Sequence, residues 1–252
     1  MTRWRSYLAM GDSFTEGLDD PAPAGHYRGW ADRFAEHLAA GGTDLRYANL
    51  AIRGKLLREI VEQQLPVAVQ ARPELVTLAG GGNDLLRPGA SLGALMALFD
   101  RALGELRDAG CEVVLFGAAD PGNRPVLRRL RTRLVGFNER LHAVAARHEC
   151  TVIDLWRLPA LADVRAWSAD RLHLSAEGHR RVALYVCSRL GVEAGDDWRT
   201  PWPPAPPVPW WTQRYDDARW ARDHLVPWVT RRLRGRSSGD DLQAKRPGLH
   251  PL

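Results

Sequence analysis

Apolar residues over the first 191 positions fall into two alternating spacings. Short apolar, partly β-branched runs occur at YLAMG (7–11), LRYANLA (45–51), LVTLAGG (75–81), CEVVLFGAAD (111–120) and CTVIDLW (150–156). Runs of that kind, bounded by turn residues, predict buried strands. Between them lie longer stretches with apolar residues three and four apart. RGWADRFAEHLAAGG (28–42) puts Trp30, Phe34 and Leu38 on one stripe and ends in glycines. SLGALMALFDRALGELRDAG (91–110), PVLRRLRTRLVGFNERLHAVAARHE (125–149) and SAEGHRRVALYVCSRLG (175–191) follow the same rule and predict helices. Five strands alternating with helices predict an α/β fold, a five-stranded parallel sheet with helices on both faces and right-handed crossovers. Ligands of such sheets collect beyond the carboxyl ends of the strands.

The alternation stops after Gly191. WRTPWPPAPPVPWW (198–211) holds six prolines and four of the chain's ten tryptophans, and polyproline II is its natural conformation. TQRYDDARWARDHLVPWVTRRLRG (212–235) has helical spacing, with Tyr215, Trp220 and Leu225 as candidate buried positions and Pro227 as a kink. RSSGDDLQAKRPGLHPL, at the end, reads as disordered. The expected division is a domain over 1–191 and an extension over 192–252. The extension has two readings: a PxxP ligand for an aromatic groove, or a strap whose tryptophans pack on the domain. Six tryptophans beyond residue 197 are many to leave in water, which favours the strap.

Composition changes this picture little. With 45% hydrophobic and 26% charged residues in 252, the chain is of ordinary globular type. No apolar run approaches the roughly 18–20 residues that cross a bilayer. MTRWRSYLAMGDS opens a strand rather than a signal peptide, so the expected location is cytoplasmic. The three cysteines, Cys111, Cys150 and Cys187, are odd in number and widely spaced, which predicts buried free thiols and no zinc site. Net charge is +5, but most of the excess lies beyond Trp228, which argues against a nucleic-acid partner for the main domain.

The strand ends carry the candidate chemistry. The first ends in Gly11-Asp12-Ser13, the second leads through Asn49 to Gly54, the third ends in Gly81-Gly82-Asn83-Asp84, and the fifth leads to Asp170 and His173. Ser13 also reads as a plain helix cap, with Glu16 completing a capping box. A cap explains neither Asn83 nor the Asp170/His173 pair. A neutral imidazole can serve Ser13 as base, and a carboxylate three residues earlier can reach its Nδ1. Main-chain N–H groups of Ser13 and Gly54 and the Asn83 amide supply uncharged donors for an oxyanion. Asp12 and Asp84 read as loop braces, and His179, His142 and His148 as ordinary surface or core histidines. GASLG (89–93) satisfies the GxSxG nucleophile elbow, but it follows Pro88 well past a strand end, so Ser91 reads as a helix cap.

Ser13, Gly54, Asn83 and His173, in that order, with GDS, GxND (81–84), DxxH (170–173) and HLSAEGH (173–179), resemble the SGNH subgroup of GDSL-type esterases and lipases over about residues 5–191. The resemblance implies a three-layer flavodoxin-like fold, no metal or organic cofactor, and a small-molecule ester substrate. It also implies a serine acyl-enzyme mechanism, with Ser13, His173 and Asp170 catalytic and Ser13, Gly54 and Asn83 forming the oxyanion hole. The expected reaction is ester hydrolysis. Acyl transfer to a sugar or natural-product hydroxyl would use the same residues. A non-catalytic scaffold binding partners through its tail is the alternative outside enzymes.

Overall fold

The computed structural model describes residues 4–22, 25–42, 44–122, 127–204, 211, 215, 218–220, 222–223, 226 and 239–252. The five apolar runs become β1 (Ser6–Met10), β2 (Arg46–Asn49), β3 (Leu75–Leu78), β4 (Glu112–Gly117) and β5 (Thr151–Asp154). Their mutual pairings are all parallel, in the order β5-β4-β3-β1-β2.

The sheet has six strands rather than five. Its sixth, β6 (Arg246–Pro251), lies antiparallel on β2, with Tyr47 opposite His250. Within the segment expected to be disordered, Arg246–Pro251 thus forms a strand. Pro247, Gly248 and Pro251 suppress a strand reading, yet proline is tolerated on an edge strand, where one row of N–H groups has no ladder partner to lose.

Strand alternation sends successive side chains to opposite faces. Tyr7 and Ala9 point to the layer of α2 (Gly29–Ala40) and α8 (Ala176–Leu190), packing with Trp30, Phe34, Leu38, Val182 and Val186. Leu8 and Met10 point to the other, built by α3 (Leu57–Gln63), α4 (Leu65–Ala71), α6 (Leu92–Asp108) and α7 (Arg131–Arg147). The helices α3 and α4 escape the periodicity because Pro66 divides one amphipathic stretch into two short pieces. Two four-residue helices, α1 (Ser13–Glu16) and α5 (Gly82–Leu85), follow β1 and β3. The result is three layers, helix on sheet on helix.

All three cysteines are free. Cys111 and Cys187 are buried, and Cys150 is half-buried. No described helix is long and apolar enough to cross a membrane. Of the helix expected over 212–235, the described residues 215, 218–220 and 226 are helical. Tyr215 is 69% exposed, not buried, whereas Trp220 is half-buried. Leu225 and Pro227 lie outside the described residues.

Candidate active site

The strand order changes direction at β1, whose neighbours β2 and β3 are reached by crossovers to opposite sides. Ser13 follows β1 and Asn83 follows β3, so both sit where such a sheet opens a crevice. Gly11 lets the chain turn there. A Cβ on it would fall 2.8 Å from the Ala79 carbonyl oxygen. Gln64 fixes the same residue, accepting from its N–H at 2.8 Å and donating to its carbonyl at 2.9 Å. No sequence pattern singled out Gln64.

The helix cap is Asp12, not Ser13. Asp12 Oδ1 accepts from the Phe14 N–H at 3.1 Å, which frees the Ser13 hydroxyl at the first helical position. Glu16 forms no capping box either. Its carboxylate accepts from the Arg53 N–H at 2.7 Å and pairs with the Arg53 guanidinium, tying α1 to the loop that carries Gly54. Gly54 has φ +77° in that loop. It does not line the cavity described below.

The structure brings Ser13, His173 and Asp170 together. Ser13 Oγ and His173 Nε2 lie 2.9 Å apart, and His173 Nδ1 and Asp170 Oδ2 lie 2.5 Å apart. Asp170 is held in turn: its Oδ1 accepts from Ser168 Oγ at 2.7 Å, Leu172 N at 2.9 Å and His173 N at 3.0 Å. An antiparallel bridge between Trp167 and Leu174 closes the loop at its base. Burial pulls the His173 imidazole down, but the hydrogen bond and charge of Asp170 outweigh it, and its pKa ends above 6.5. Burial likewise opposes ionisation of Asp170, and the His173 contact overcomes it, leaving that carboxyl well below the usual range.

Asn83 Nδ2 donates to Asp12 Oδ2 at 3.2 Å and to the Lys55 carbonyl at 3.1 Å, one residue from Gly54. Burial pushes the Asp12 carboxyl up to about 6. Asp84 braces its loop as expected, accepting from the Leu57 N–H at 3.0 Å. Ser91 caps α6, accepting from Ala94 N at 3.3 Å. Among the described residues, the carboxylates and imidazole close enough to hold a cation are Asp19, Asp170 and His173, the last two being those already named.

A cavity of about 230 Å³ opens beside Ser13, His173 and Asn83. Its walls are largely apolar and include Phe14, Phe116, Leu134, Phe137, Leu161 and Trp167. Trp156, the other tryptophan near the site in sequence, instead lies against the Arg131 guanidinium. His179 also reaches this wall and is a partnered core residue. Its Nδ1 accepts from the Trp30 N–H at 3.2 Å, so its Nε2 carries the proton and donates to the Leu18 carbonyl at 3.1 Å. Burial holds its pKa down at about 4.

Solved structures similar to this one include Axe2, an acetylxylan esterase from Geobacillus stearothermophilus, at 17% identity and a TM-score of 0.63, with 78% of this chain and 97% of that one covered. EstA, a psychrotrophic esterase from Pseudoalteromonas sp., aligns at 15% identity and a TM-score of 0.60 over 74% of this chain and 97% of its own. TesA aligns at 25% identity and a TM-score of 0.62 over 73% of this chain and 99% of its own. Comparison with curated proteins gives no match. Residues 9–181, from within β1 to within α8, match the model of the GDSL-like lipase/acylhydrolase family, and the chain belongs to that family.

Proposed function

We propose that the chain is a serine-dependent acylhydrolase that cleaves carboxylic esters through an acyl-enzyme. The observation that carries this reading is the continuous contact from Ser13 Oγ through the His173 ring to Asp170, at 2.9 and 2.5 Å. With Nδ1–H directed to Asp170, Nε2 is left as the acceptor for the Ser13 hydroxyl proton. Ser13 Oγ bonds to the ester carbonyl carbon as its proton passes to Nε2, and the imidazolium forms against the Asp170 carboxylate. The carbonyl oxygen becomes an oxyanion, for which the Ser13 and Gly54 N–H groups and the Asn83 amide are the donors. The oxyanion competes with Asp12 and the Lys55 carbonyl for the Asn83 amide. As the tetrahedral state collapses, the C–O bond to the alcohol breaks and the leaving oxygen takes the proton from Nε2. Water then adds by the same route and releases the acid.

The acyl chain lies in the apolar cavity beside Ser13, where Phe14, Phe116 and Phe137 shield it from water. Such walls favour an aliphatic acyl group over a polar one. The test is hydrolysis of p-nitrophenyl butyrate by the parent and by Ser13→Ala. The variant is expected to retain under about a thousandth of the parental kcat. A variant as fast as the parent would refute the reading.

A further inference from the structure

The chain beyond Gly191 is tied to the domain at both ends of its length. At the near end, Arg181 donates to the Thr200 carbonyl at 2.5 Å and lies 4.2 Å from the Trp202 ring centroid, while Trp202 Nε1 donates to the Ala160 carbonyl at 3.1 Å. At the far end, β6 pairs with β2, and Lys245 Nζ donates to the carbonyls of Glu16, Tyr27 and Arg28. Trp220 lies between these anchors. Its indole N–H donates to the main-chain carbonyl of Asp170 at 2.7 Å, and the Arg171 guanidinium sits 5.4 Å from its ring centroid.

We propose that Trp220 is a positioning residue, reaching from the C-terminal extension to hold the Asp170–His173 loop where the imidazole meets Ser13. The inference rests on the catalytic reading of Ser13, His173 and Asp170. The loop needs an outside hold because its backbone is strained: Arg171 has φ +58°, a left-handed conformation costly for a residue with a Cβ. Three of the donors that stabilise the turn (Ser168 Oγ, Leu172 N and His173 N) belong to the loop itself and open with it. Trp220 is the donor that comes from 50 residues away, outside the loop. Without it the loop opens more often, Asp170 leaves Nδ1, and the imidazole loses both its alignment and the charge that raises its pKa. Trp220 does not line the cavity, so substrate binding is left alone.

Trp220→Phe keeps an aromatic ring, though a smaller one, against Arg171 and removes the donor. Assayed on p-nitrophenyl butyrate well below the melting temperature, it is expected to lower kcat about fivefold, the equivalent of one ordinary hydrogen bond. KM is expected to stay within about twofold, and the acid limb of the kcat profile to shift down towards pH 6.5. Ser13→Ala is measured alongside. Parental kcat and acid limb in Trp220→Phe, with Ser13→Ala inactive, overturn the inference and leave the catalytic reading standing. A lowered melting temperature with unchanged kcat and acid limb overturns it too, by assigning the indole a structural role alone. A parental rate in Ser13→Ala brings down both.

Discussion

At the residue scale, the site depends on which side chains are left without a structural task. Asp12 takes over the cap of α1, so Ser13 keeps its hydroxyl for His173. Asn83 has the converse position: its amide holds Asp12 and the Lys55 carbonyl at rest, and the proposed mechanism draws it to the oxyanion in the transition state. Asn83→Ala is therefore expected to lower kcat by about 10²–10³-fold, with KM changed far less, in steady-state assays. On the proposed mechanism the His173 pKa, raised by Asp170, sets the acid limb. The imidazole must be neutral to accept a proton, so activity falls as pH drops through a value above 6.5, and a limb centred below 6.5 would contradict the Asp170 contact.

His179 gives the opposite sign. Burial keeps it neutral down to about pH 4, whereas the unfolded imidazole protonates near 6.5. Between those values the unfolded chain binds the proton first, so stability is lost as pH falls from about 6.5 towards 4. His179→Gln cannot take up that proton. In urea unfolding, the stability gap between parent and variant should narrow by about 2 kcal/mol from pH 7 to pH 5. A gap independent of pH would show that His179 is not held neutral. Ser13, Asn83, Asp170 and His173 stand out in the sequence because they follow strand runs as polar residues that ordinary loops do not require together. Gln64 and His179 do not. Their partners are main-chain atoms of residues 53 and 149 positions away, which spacing along the chain does not reveal.

At the element scale, the strands and the four long helices follow from periodicity, and the tail does not. Periodicity reads only what an element buries by its own side chains, and β6 is held by something else. Its ladder on β2 uses backbone groups, and Lys245 reaches the start of α2, where Asp32 and the carbonyls of Glu16, Tyr27 and Arg28 receive its ammonium. Both side chains of that ion pair are largely buried. Lys245→Met leaves Asp32 without its cation and is expected to cost about 3 kcal/mol in chemical unfolding. Gly239 has an equally specific fit, since a Cβ there would sit 2.1 Å from the Arg53 carbonyl oxygen. Gly239→Ala should therefore destabilise the chain by about 1–3 kcal/mol. A tail that were mere appendage would tolerate both. The helix α6 provides the control. Ser91 caps it and does not line the cavity, so Ser91→Ala should leave turnover at the parental rate.

At the scale of the whole molecule, the parallel sheet brings loops 160 positions apart to one edge, and its two apolar layers make that edge rigid. The cavity belongs to neither layer alone. Phe116 comes from one core, Phe137 from the other, and Trp167 from the loop after β5. The parallel pairing of the first five strands and the three layers could be anticipated from the sequence, but the cavity could not, because its walls are set by how the loops pack. Its apolar lining predicts a preference within acyl esters. Each methylene buried is worth about 0.8 kcal/mol, so kcat/KM for p-nitrophenyl butyrate should exceed that for the acetate by about tenfold. A preference for acetate would place the acyl group elsewhere.

The claim on which the rest depends is that one hydroxyl in this chain is activated by an imidazole. Treatment with an alkyl fluorophosphonate, followed by intact-mass and peptide mass spectrometry, tests it without presuming a substrate. The account predicts a single adduct, on Ser13, formed rapidly in the parent, about 10²-fold or more slowly in His173→Ala and not at all in Ser13→Ala. An adduct on Ser91 or any other residue, or labelling that survives replacement of Ser13, would contradict it.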